Sequence, residues 1–245
     1  MRSASKLTKK KSPEKMKNAT KNKSPVKVKN VKNVKNVKNV NTKSPVKVKN
    51  TKSPVKVKNT KSPVKKGKDG TVTVIESGKK RLVRKTFRKN KNRDDIDNEV
   101  KMMKKGYNLG ISPKVYTYFT GNDTENPYID MEELGETLFD IIKKEGNISD
   151  KYQQQIISIL ETLDANHIFH GDISPLNFMT GKNEDRLYII DYGMAKKMDS
   201  AFIKKNSKDA NVKLGITVFI LKIREQYPEF NPELLLKKVY SKLSL

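Results

Sequence analysis

From residue 71 onward the chain shows two periods of apolar and polar positions. In Thr71–Glu76 and again in Arg81–Phe87 the two kinds alternate, the pattern of a strand with one covered face. Ser77-Gly78 lies between them, so the pair reads as a hairpin. The period then lengthens. Ile96, Val100 and Met103 fall at i, i+4 and i+7 within Asp94–Tyr107, which predicts a helix. Val115–Phe119 and Tyr128–Met131 read as strands. Ser149 is an N-cap for a helix reaching about Asn166, with Tyr152, Ile156, Leu160 and Leu163 as its apolar stripe. Leu187–Ile190 reads as a short buried strand, and helices follow at about 209–226 and 232–243. Strands come first and helices later, so the expected class is α+β in two lobes.

Residues 1–64 carry neither period. They hold no aromatic residue, no Ile, one Leu, 21 Lys and Arg, and a single acid, Glu14, for a net charge of +20. Such a segment cannot bury enough apolar surface to offset its chain entropy, so a disordered tail is expected. The folded part is then 65–245, with a net charge of +6 and all 17 aromatics. The absence of cysteine excludes disulfides, thiolate zinc sites and a Cys nucleophile. With two histidines, His167 and His170, a His-based metal site or hydrolytic triad is poorly supported. Ile216–Leu221, interrupted by Thr217, is far short of a membrane span, and the basic N-terminus lacks the apolar stretch of a signal peptide. These features point to an intracellular or virion protein rather than a secreted one, with the nucleus or a virus factory as compatible sites.

The tail is a repeat. Lys23-Ser-Pro-Val-Lys-Val-Lys-Asn30 recurs at 43–50 and 52–59, with degenerate copies at 11–18 and 61–68 and Val-Lys-Asn triplets over 31–40. Spaced lysines on an extended chain make a multivalent binder of polyanions. The pattern resembles the Ser-Pro-Lys/Arg repeats of linker-histone tails, which implies DNA contact. A solubilising tail or nuclear-import signal is the plainer alternative. Ser12, Ser24, Ser44, Ser53 and Ser62 each sit in Lys-Ser-Pro-x-Lys, which resembles the substrate pattern of proline-directed kinases. Five phosphates would add roughly −8 to −10 of charge, so the tail reads as a charge switch.

The chemistry lies further on. His170-Gly-Asp172-Ile-Ser-Pro-Leu-Asn177 is followed, after a short loop, by Ile189-Ile-Asp191-Tyr-Gly193. The two motifs resemble the catalytic loop and metal-binding motif of the protein-kinase-like superfamily. Upstream parts agree in order: Gly67-x-x-Gly70-x-Val72 resembles the end of a glycine loop, Lys85 the phosphate-binding lysine, and Glu99 its partner on the next helix. The resemblance implies a small β-rich lobe at about 65–131, a reduced helical lobe at about 135–245, and use of ATP and Mg²⁺ on a protein substrate. It also implies roles. Lys85, held by Glu99, would meet the phosphates. Asp191 and Asn177 would ligate metal, and Asp172 would orient the substrate hydroxyl. Met131 would take the gatekeeper position, with the Glu132 carbonyl and Leu134 amide at the adenine edge and Val72 and Met179 forming an apolar lid. The plainer reading of that segment is a strand end entering a helix at Thr137. His170 reads as a structural buried histidine and His167 as a helix-end residue.

The departures carry information. Lys65 replaces the first loop glycine, Gly171 the arginine before the catalytic Asp, and Ser174 the usual catalytic-loop lysine. No Ala-Pro-Glu follows Gly193. His-Gly-Asp is shared with aminoglycoside-type phosphotransferases and with the small kinase-like ATPase of a tRNA-modifying complex. The overall look is closest to a small serine/threonine protein kinase of large DNA viruses. A compact kinase-like ATPase of an RNA-modifying complex and an inactive kinase-fold DNA-binding or packaging protein stand as alternatives.

Overall fold

A computed structural model describes residues 65–66, 70–78 and 80–243. Residues 1–64, with the five Ser-Pro serines, and Gly67 lie outside the described residues.

The first part is an antiparallel sheet in the order β1-β2-β3-β5-β4. Its strands are β1 (Lys65–Lys66), β2 (Gly70–Ser77), β3 (Lys80–Phe87), β4 (Val115–Phe119) and β5 (Tyr128–Glu132). The alternating segments pair as a hairpin, as expected. Central β3 lies between β2 and β5, so Lys85 faces Val72 on one side and Ile129 on the other. Helix α1 (Arg93–Asn108) crosses between β3 and β4 and buries Ile96, Val100 and Met103, the residues its period singled out. Asn92 caps its start by accepting from the Asp94 amide. Glu99 lies on the same buried face.

The second part holds α2 (Leu138–Glu145), α3 (Asp150–Ala165), α4 (Ser200–Asn206), α5 (Ile216–Arg224) and α6 (Glu233–Leu243). Thr137 and Ser149 cap α2 and α3. Two small antiparallel ladders carry the chemistry-bearing loops: β6 (Ile168–Phe169) with β9 (Lys196–Lys197), and β7 (Phe178–Gly181) with β8 (Glu184–Ile189). The expected two-lobed α+β class holds, and the second lobe carries β6, β7 and β9 beyond the strand expected at Leu187–Ile190. Of these, β6 and β9 are two residues long, too short to show a period. β8 also begins earlier than its apolar run, because Glu184, Asp185 and Arg186 are exposed and carry no hydrophobic signal. The helix expected at 209–226 divides into a π-helical turn, Asn211–Gly215, and α5. One buried cluster includes Phe87, Ile129 and Met131 of the sheet, Ile96 and Met103 of α1, and Leu160, Phe178, Tyr192 and Phe219 beyond them. Among the described residues no helix is long and apolar enough to cross a membrane.

Candidate active site

Two carboxylates from other parts of the chain meet at Lys85. Its ammonium donates to Glu99 Oε1 at 2.7 Å and to Asp191 Oδ1 at 2.8 Å. Lys85 is 13% exposed and Glu99 1%. Burial alone would lower the Lys85 pKa, but Glu99 and Asp191 outweigh it and hold the lysine above its ordinary value. Burial alone would raise Asp191, yet the Lys85 charge and hydrogen bond keep its carboxyl below the usual range. Glu99 is pushed up by burial and only partly offset by Lys85, and its Oε2 is buried without a partner. A buried ion pair is weak as a stabilising device, because desolvation consumes much of its Coulomb gain. Its value here is geometric: it fixes where the ammonium points. Asp191 itself holds a left-handed backbone, φ 61°, which a non-glycine residue adopts at some cost.

The loop between β6 and β7 carries His170, Asp172 and Asn177. The Asn177 amide nitrogen donates at 2.9 Å to both the Asp172 carbonyl and Oδ2. Gly171 sits at φ 85°, and a side chain there would strike the Met194 carbonyl. An arginine at this position is therefore sterically excluded in this backbone. His170 is fully buried. Its Nε2 lies 3.1 Å from the Ile190 carbonyl, and its Nδ1 accepts from the Asp172 amide at 3.4 Å. This pattern requires the neutral Nε2–H ring, and burial lowers its pKa to about 4. Between pH 6.5 and about 4 the unfolded chain holds a proton on this ring that the folded chain does not. Stability should thus fall as pH drops through that window, by about 3 kcal/mol in all. Urea midpoints measured against pH should show this slope in the wild type and lose it in His170→Asn. Equal slopes in the two proteins would contradict it.

Three supporting features have no signal in the sequence pattern. Asn211, fully buried, accepts the His170 amide at 3.0 Å and donates to Asp164 Oδ1 at 2.8 Å and to the Ile168 carbonyl at 2.7 Å. Asp164, at the end of α3, also receives the Asn211 and Val212 amides. The second feature is Tyr192, wholly buried, whose hydroxyl pairs with Ser112. Gly106 of α1 is the place where both hydroxyls lie, and a Cβ there would overlap them. Third, Lys222 of α5 donates to Asp172 Oδ1 at 3.0 Å.

The segment after β5 is pinned to β7. The Gly135 amide donates to the Thr180 carbonyl at 2.7 Å, and the Thr180 amide to the Glu136 carbonyl at 2.9 Å. Met131 is buried, Glu132 exposed and Leu134 half-buried. Among the described residues the Leu134 amide makes no hydrogen bond to the protein. Val72, paired with Lys85 across the β2–β3 ladder, is 37% exposed, and Met179 is half-buried on β7. Gly70 opens β2 opposite Phe87. Among the described residues no three His, Cys, Asp or Glu side chains could hold a metal unaided. Asp191 Oδ2 and Asn177 Oδ1 have no protein donor among the described residues, since Lys85 and Gly193 use Oδ1 and the Asn177 amide nitrogen makes its contacts. Two hard oxygen donors suit an ion that completes its shell with phosphate oxygens and water.

The family profile described as Protein kinase domain matches residues 58–211. A probable serine/threonine-protein kinase of Fowlpox virus is 31% identical over 45% of this chain and 38% of its own length. Serine/threonine-protein kinase B of Synechocystis is 25% identical over 39% of this chain and 17% of its own. Casein kinase I homolog 1 of Saccharomyces cerevisiae is 30% identical over 36% and 18%. The matches therefore span well under half of these relatives.

Proposed function

We propose, because this chain belongs to the protein kinase domain family, that it transfers the terminal phosphoryl group of ATP to a serine or threonine hydroxyl of a protein. The observation that carries this reading is the convergence of Lys85, Glu99 and Asp191 beside the Asp172–Asn177 pair. Phosphoryl transfer needs placement and charge neutralisation more than covalent chemistry. Glu99 holds Lys85 so that its ammonium reaches the phosphates. Asp172 accepts a hydrogen bond from the acceptor hydroxyl and aims its oxygen at phosphorus. The Leu134 amide and Glu132 carbonyl take the adenine edge, with Val72 and Met179 above and below it, and Gly70 flanks the phosphates. Asp191 and Asn177 would hold Mg²⁺ through Asp191 Oδ2 and Asn177 Oδ1, and the ion would supply charge neutralisation for the phosphate oxygens.

The test is incubation of the purified chain with Mg²⁺ and γ-labelled ATP, with and without basic protein acceptors. Label in acceptor serine or threonine is expected. Nucleotide hydrolysis without acceptor labelling would favour an ATPase, and no turnover at all would favour an inactive binding protein.

The second part of the proposal concerns residues 1–64, which we assign as a tail binding DNA or another polyanion. Its repeats and net charge of +20 support this. Affinity for duplex DNA should fall steeply with salt, with a log–log slope approaching about −0.9 per phosphate contacted. Removing residues 1–57, which stops short of the family match, should abolish most of the binding and spare phosphorylation of a short peptide. Phosphorylating the tail serines by a proline-directed kinase should flatten the slope. A shortened protein that binds DNA as tightly as the full chain would show that the anchor lies elsewhere.

A further inference from the structure

The two oxygens of Asp172 are held from different parts of the fold. Asn177, five residues on, donates to Oδ2, while Lys222 reaches Oδ1 from α5. The loop from His170 to Asn177 contains no lysine or arginine, and Ser174 within it is buried. Lys222 is therefore the cation that the described residues place on this carboxylate. It is 42% exposed, against 37% for Asp172, so the pair faces solvent and adds little to stability. Lys222 also borders a groove of about 110 Å³ with Phe169, Ile173, Leu214 and Val218, the space next to the carboxylate.

We infer that Lys222 is a positioning residue for phosphoryl transfer, supplied by α5 in place of a cation in the loop. The inference rests on the kinase reading above and deepens it. During the reaction the acceptor oxygen forms a bond to phosphorus while the bond to the leaving diphosphate breaks. The hydroxyl proton passes to Asp172 or to solvent. Anionic phosphoryl oxygens then draw near a carboxylate, and the two repel. A fixed ammonium on Oδ1 offsets that repulsion and keeps Oδ2 turned toward Asn177, while taking no part in the proton exchange. Preorganised charge of this kind acts on the transition state more than on ground-state binding.

The experiment compares full-length wild type, Lys222→Met, Lys222→Arg and Asp172→Asn in steady-state transfer to one peptide. Lys222→Met should lower kcat about 100-fold, equivalent to about 2.7 kcal/mol, with the KM for ATP changed less than about twofold. Lys222→Arg keeps the charge and should recover most of the loss. The site is exposed, so thermal melts of all variants should match; if Lys222→Met melts early, Lys222→Gln replaces it. Wild-type kcat in the uncharged variant would overturn the proposal, as would a change in peptide KM alone or equal losses in the Met and Arg variants. Wild-type transfer that is lost in Asp172→Asn would leave the kinase reading standing in each of those cases. Absence of transfer in the wild type would instead remove the reading on which the inference rests.

Discussion

Asp191→Asn should lower Mg²⁺-dependent phosphoryl transfer by roughly 10³-fold or more while leaving the protein folded. The expectation follows from two features. Asp191 presents a carboxylate whose Oδ1 is committed to Lys85, which leaves Oδ2 as the oxygen available to an ion. An amide at this position offers one neutral oxygen and no charge, so both the metal affinity and the hold on Lys85 weaken. The fold should survive because Asp191 is 40% exposed and Lys85 retains Glu99. Asp172→Asn is the contrasting case. It leaves the Lys85 cluster intact, so ATP affinity should change little, while kcat falls about 10²–10⁴-fold with loss of the group that orients the hydroxyl. Nucleotide binding by calorimetry and single-turnover rates separate the two. Wild-type-like turnover in both variants would discard the kinase assignment.

The parts legible in the sequence are those that a local period or a short motif can encode. Ile96, Val100 and Met103 announced α1, and Ser149 announced α3, because helix faces and caps are local. The kinase resemblance pairs Lys85 with Glu99, a carboxylate on the apolar face of α1 needs such a cation, and the two meet at 2.7 Å. That Asp191 shares the same ammonium depends on the left-handed turn after β8, which neither an apolar period nor a helix cap encodes. Lys222 was invisible for a different reason. It lies on the exposed side of α5, where a lysine is ordinary, fifty positions from its partner. The Tyr192–Ser112 pair and the space at Gly106 depend on three segments meeting, so no single one of them reports it.

Asn211 is the strongest example of such hidden support, and its removal should have the largest effect on stability. The residue looks like one more polar position in a helical stretch, yet it is fully buried. Its side chain bonds the His170 amide, the Ile168 carbonyl and the Asp164 carboxylate. Asn211→Ala would strand a buried amide, a buried carbonyl and part of the solvation of a buried carboxylate. Each orphaned group costs about 1–3 kcal/mol, so the expected loss is about 3–5 kcal/mol. That is a large share of the roughly 5–15 kcal/mol that holds a domain together, and it should lower Tm by about 10 °C or more. Asn211→Asp keeps the shape and tests the chemistry. It sets a second carboxylate against Asp164, whose own pKa is already raised by burial. Both cannot stay ionised there, so this variant should be less stable than Asn211→Ala at neutral pH. Its folded form must then take up a proton that the unfolded chain lacks, and its deficit should shrink as pH falls toward the carboxylate range. Transfer activity should fall in step, since the same amide anchors the backbone just ahead of Asp172. Melting curves across pH for the three proteins decide the matter: an Asn211→Ala variant that melts with the wild type, or an Asn211→Asp variant indifferent to pH, would show that the loop is held by something other than this asparagine.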